Sequence, residues 1–152
     1  MRNRLTFLNH FVICLAIAAG AFFAALEGVP QVIFVNDLSH VTSVIGALFV
    51  SSAIYLGWQA WRLGEPRGTA QSSTWKEPDP SFGHLAERLC VACGIIGTGA
   101  GLALQGQALM AGAASFGALS TAIFTTVCGV LGYALTAVLT YNLEVGIRRA
   151  RR

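Results

Sequence analysis

The chain has 152 residues, of which 55% are hydrophobic and only 11% charged. A soluble domain carries about 25% charged residues, so this composition excludes an ordinary water-soluble globule and points to a membrane protein. The net charge of +3 comes from basic residues gathered at three places, which argues for membrane topology and against a nucleic-acid-binding face.

A membrane-spanning helix needs about 20 apolar residues, because the hydrocarbon is roughly 30 Å thick and each residue rises about 1.5 Å. The first such segment is Leu5 to Leu26, 22 residues without Asp, Glu, Lys or Arg. Arg2 and Arg4 precede it, and "AGA" at Ala19 to Ala21 has the form of a signal-cleavage site. The apolar run continues past that site, so a retained first helix is expected. The following segment, "EGVPQVIFVNDLSH", contains no Lys or Arg.

The second span is Val41 to Trp61, 21 residues. It ends in Tyr55, Trp58 and Trp61 just before Arg62, an aromatic belt at a membrane interface. Residues 62–88 form a polar loop with Pro66, Pro78 and Pro80, too short for a core of its own. Ser81 is the expected cap of a helix start within it. His84 and Glu87 stand three apart, but two groups make no metal site, and they read as solvated. His10 and His40 sit near interfaces without evident partners.

Leu89 to Leu143 is uncharged for 55 residues, enough for two spans, about 89–111 and 116–143, joined by a turn. Cys90 and Cys93 form a C-x-x-C, but no second ligand pair accompanies them. With Cys14 and Cys128 they read as small buried thiols. The chain ends in "RRARR", residues 148–152.

The expected fold class is therefore an all-α integral membrane protein with four transmembrane helices. Residues 1–61 are a peripheral helix pair, and 89–147 a second, pore-lining pair. All Lys and Arg fall at 2–4, 62–88 and 148–152. The positive-inside rule then places both termini and the short 62–88 loop in the cytoplasm.

The last pair is unusual in two ways. Residues 94–132 hold nine of the chain's 17 glycines, including the GxxxG of Gly97 and Gly101 and the nearby Gly94. Small residues let membrane helices approach closely, within one chain or between subunits. These helices also carry hydroxyls. Thr98 shares a face with Leu102 and Gln105, and Thr126 shares one with Ala122, Gly129, Tyr133, Thr136 and Thr140. In one reading each threonine bonds back to its own helix. In the other the stripe lines a polar path. No Asp, Glu, Lys, Arg or His lies in the middle of a span, so a group that carries protons would come from another protein.

Two segments resemble a known family. "GIIGTGAGL", Gly94 to Leu102, is similar to the G-L-L-G-T-V-x-G-L segment of the MotA/TolQ/ExbB proton-channel family. "TAIFTTVCGVLGYA", Thr121 to Ala134, is similar to the A-L-x-T-T-x-x-G-[LV] segment of their next helix. "YN" at Tyr141 and Asn142, followed by basic residues, is also similar, and the resemblance covers about residues 85–149.

The resemblance implies a homo-oligomer, a pentamer, around a dimer of single-span MotB/ExbD/TolR-like partners. In such assemblies a partner aspartate takes up a proton, and proton flow drives rotation. Thr98 and Thr126 match the pore-lining threonines. Thr125, Gly129 and Tyr133 complete the expected path, with Thr125 also placed to pack between subunits.

The chain departs from the family pattern at three points. Thr121 stands where TolQ- and ExbB-like members carry a Glu. Ala134 and Leu135 replace the region of a common proline. The 62–88 loop is far shorter than the cytoplasmic domain with which flagellar stators push a rotor.

The sequence-level expectation is a proton-channel subunit of an ion-driven motor in the bacterial inner membrane, with the lipid bilayer as its surroundings. It implies no covalent chemistry, cofactor, metal or nucleic acid. A pore-forming protein of the phage-holin type is the alternative, on small size, several spans and the basic tail.

Overall fold

The computed structural model describes residues 4–37, 39–64, 78–112 and 116–151, with the side chains of 34–36 outside the description. Among the described residues five helices follow in order: α1 Arg4–Leu26, α2 Val29–Asn36, α3 Val41–Leu63, α4 Ser81–Met110 and α5 Phe116–Arg151. No strand occurs among the described residues. α1, α3, α4 and α5 are long and apolar enough to cross a membrane, the architecture of a multi-pass membrane protein.

Three boundaries differ from the sequence reading. The segment between the first two spans contains α2. Gly28, at a left-handed φ of 74°, turns the chain, and Pro30 in the first turn suits a helix start. α4 begins at Ser81 rather than near Leu89. Its N-cap position is Pro80, not Ser81; just ahead of it, Asp79 Oδ1 accepts from the Ser81 N–H at 2.9 Å and from the Ser81 hydroxyl. α5 runs through the basic tail to Arg151, because Arg148, Arg149 and Arg151 sit favourably in its last turn.

The N-terminus of α1, the C-terminus of α3, the start of α4 and the end of α5 gather at one end. Arg4 lies against Gly64, Thr6 against Gly146, and Gly83 against Thr140. This is the basic end. Two kinds of packing hold the bundle. Toward the basic end, Leu56, Ala60 and Leu63 of α3 pack with Leu139, Leu143 and Ile147 of α5. Toward the other end the contact is made of small residues, which the candidate site uses.

α1 is the peripheral helix. Its buried residues are Thr6 and His10, both in its first two turns. The structure gives His10 the partner that its sequence position did not suggest. His10 Nε2 lies 3.1 Å from the carbonyl oxygen of Ala53 in α3. Gly57 makes the approach possible, since a Cβ there would lie 2.9 Å from Nε2. A carbonyl only accepts, so Nε2 carries the proton in this contact.

Candidate functional site

The α4–α5 seam follows from spacing. Cys90, Gly94, Gly97 and Gly101 of α4 are buried at steps of four, three and four. Ala118, Ala122, Thr125, Gly129 and Gly132 of α5 are buried at steps of four, three, four and three. Those steps keep one stripe of each helix facing the other. Because the stripes are small, the backbones nearly touch. A Cβ on Gly129 would lie 2.8 Å from Gly94 Cα and 2.9 Å from Cys90 O. One on Gly101 would lie 2.6 Å from Ala122 N.

The glycines of the GxxxG therefore pack within the chain. Thr125, expected on the polar path, is 0% exposed and fills the space beside Gly97. Its hydroxyl donates within α5, to Thr121 O at 2.8 Å or Ala122 O at 3.3 Å. Gly129 is likewise inside the seam, against Gly94.

One step around each helix, Thr98 and Thr126 meet across the seam. Their Oγ1 atoms are hydrogen-bonded to each other, with either able to donate. Thr98 Oγ1 is also 2.7 Å from Gly94 O, and Thr126 Oγ1 is 2.8 Å from Ala122 O. Two hydroxyl protons thus have two carbonyl acceptors and each other's oxygens. The pair can satisfy both protons inwardly and turn lone pairs outward. It then accepts from water, hydronium or a protonated carboxyl. Rotating the Thr126 hydroxyl outward would let it donate to a carboxylate instead.

Thr126 is exposed, and the apolar side chains around the pair, Leu102, Ile123 and Val130, are more than half exposed. Tyr133, further along α5, is 44% exposed. Gly132, in the same buried stripe as Thr125, meets Ile45 of α3 as well as Cys90 of α4, about 120° around α5 from Thr126. The hydroxyl pair therefore lies on a flank turned away from α3. Residues 89–143 contain no Asp, Glu, Lys, Arg or His, so this stretch brings no carboxylate, amine, guanidinium or imidazole of its own to it.

The rest of the expected stripe separates from this flank. Thr136 is 0% and Thr140 1% exposed; Thr140 donates to Thr136 O at 2.9 Å and packs against Gly83. Cys90 is buried against Gly132, and all four cysteines are free thiols. No cluster of three potential metal ligands occurs among the described residues.

Two polar clusters had little sequence signal. His84 is not simply solvated: Nε2 lies 3.0 Å from Glu144 Oε1 and Nδ1 3.4 Å from Glu87 Oε2, while Arg148 Nη2 donates to Glu144 Oε2 at 3.1 Å. The His84–Glu144 contact joins α4 to α5 across 60 positions. At the other end Asp37 is 2% exposed. Its Oδ1 accepts from the Ser39 N–H at 3.1 Å and the Ser39 hydroxyl at 2.7 Å, and Oδ2 accepts from the Thr42 N–H at 2.8 Å. Burial alone would raise the Asp37 pKa, but these bonds from Ser39 and Thr42 outweigh it and hold it below the usual 3.8. It caps α3, a task the His40 side chain does not perform.

No family model, no curated protein and no solved structure matches the chain.

Proposed function

We propose that the protein is the channel subunit of a proton-driven motor in the bacterial inner membrane, assembled as a pentameric ring with the Thr98–Thr126 flank facing inward. Both termini and the 62–88 segment lie in the cytoplasm. The ring surrounds two copies of a single-span partner, and each partner helix brings an aspartate to the hydroxyl pair.

One observation carries the reading. Two threonines from separate sequence segments, each resembling a pore segment of the same family, form a single hydroxyl pair on an exposed flank. A carboxylate in hydrocarbon is costly unless it is hydrogen-bonded, and hydroxyls that can accept or donate suit both of its protonation states. Exposed apolar side chains around the pair fit a helix that slides past.

The reading is tested by the mass of the intact complex purified from membranes, with and without a co-expressed single-span protein encoded beside it. Five chains with two partner chains support the reading. A monomer or dimer in both preparations rejects it. Membrane permeabilisation by the chain expressed alone would support a holin-type pore instead.

A further inference from the structure

A groove of about 260 Å³ runs between α1 and α5 at the basic end. It is polar at one extremity and apolar at the other. Arg149 stands nearest the end of α5, Asn9 and Tyr141 line the middle, and Ile13 and Val138 lie farthest from the basic end. The floor is held shut where the Asn142 side-chain amide donates to Thr6 O at 3.1 Å and Gly146 packs on Thr6.

Its length is informative. From Val138 to Arg149 is 11 residues of helix, or about 16 Å at the usual rise. One leaflet contributes about half of the roughly 30 Å hydrocarbon thickness. With the span ending near Leu143, Arg149 stands at headgroup level and Val138 and Ile13 at acyl depth, so the groove lies within one leaflet. Trp61 of α3, which packs edge-on against Phe7 of α1 at 5.0 Å at the same end of the bundle, agrees with this level, since amphipathic aromatics favour the interface.

We infer that this groove binds one anionic phospholipid, its phosphate at Arg149 and one acyl chain along Ile13 and Val138. The Asn9 amide and Tyr141 hydroxyl are placed between, at the level of the glycerol esters. A peptide or a second copy of the chain explains neither the polarity gradient nor the single-leaflet length. The site lies on α1 and α5, apart from the Thr98–Thr126 flank, and does not depend on the channel reading.

The full chain is reconstituted in a bilayer of equal phosphatidylglycerol and phosphatidylcholine, released into mild detergent, and analysed by native mass spectrometry. The wild type is expected to retain one phosphatidylglycerol per chain in preference to phosphatidylcholine. Arg149→Gln should lower that retention about fivefold, the effect of one basic residue at an anionic surface. Val138→Phe, at a half-exposed position, should lower retention of both lipids. Arg151→Gln changes the tail charge equally but lies outside the groove, and should retain lipid as the wild type does.

Equal retention of the two lipids by the wild type would overturn the inference. So would an equal loss in Arg151→Gln, which would mean diffuse attraction to the basic tail. A Val138→Phe variant that changes subunit number and leaves lipid retention intact would assign the groove to protein contact.

Discussion

Thr125 occupies the hollow left by Gly97: a Cβ on that glycine would lie 2.6 Å from Thr125 Cβ and 2.8 Å from its hydroxyl oxygen. The neighbour is a β-branched side chain inside the seam, with little freedom to move aside. The contact sets how closely α4 and α5 approach, and thereby brings Thr98 and Thr126 within hydrogen-bond reach.

Gly97→Val is expected to force the helices apart and destabilise the protein by about 1–3 kcal/mol. Gly99, only two residues away, has nothing within 4 Å of a built Cβ. Gly99→Ala should leave stability unchanged or slightly raised, since alanine favours helix. Thermal unfolding of the two purified variants in the same detergent checks the contrast.

The His10–Ala53 contact anchors α1. Membrane hydrogen bonds of this kind average about 0.6 kcal/mol and reach about 1.7. Gly57→Ala, which crowds the imidazole, and His10→Phe, which removes its donor, should each destabilise the protein within or slightly above that range. Because both act on one contact, the double variant should lose less than the sum of the two. Strictly additive losses in the unfolding cycle would remove this contact from the account.

Asp37 makes a pH prediction. Its folded pKa is lowered below 3.8 despite burial, through bonds from Ser39 and Thr42. A carboxylate with a depressed folded pKa contributes stability above its unfolded pKa and loses it as pH falls through the folded value. Asp37→Ala should therefore cost about 1 kcal/mol or more at neutral pH, as caps do. The gap between the variants should stay constant down to about pH 5 and close as the pH falls below about 4. Unfolding across pH 3–7 measures it.

Composition alone made the four long helices legible, because apolar length is a direct consequence of hydrocarbon thickness. The small-residue stripe was equally readable, since steps of three and four fix a helix face. Which threonines leave that stripe was not. Thr125 and Thr126 are adjacent in sequence, yet a turn of about 100° between them separates a filled seam from an open flank. Thr136 and Thr140 fell on the expected polar face of α5, but α5 also packs on α3 and α4 toward the basic end, and that packing covers them. His10, Asp37 and Glu144 acquire their contacts from distant segments or tight local turns, for which periodicity has no signal.

The central claim is that the Thr98–Thr126 hydroxyl pair lines an ion path. Its most direct test is proton uptake into vesicles carrying the chain and the proposed single-span partner, compared between wild type and Thr126→Val, an exchange of similar shape without the hydroxyl. The account predicts at least a tenfold loss of uptake, about 1.4 kcal/mol on the transport barrier, with the mass of the complex and its melting temperature unchanged. Proton uptake equal to that of the wild type in an intact complex would contradict it.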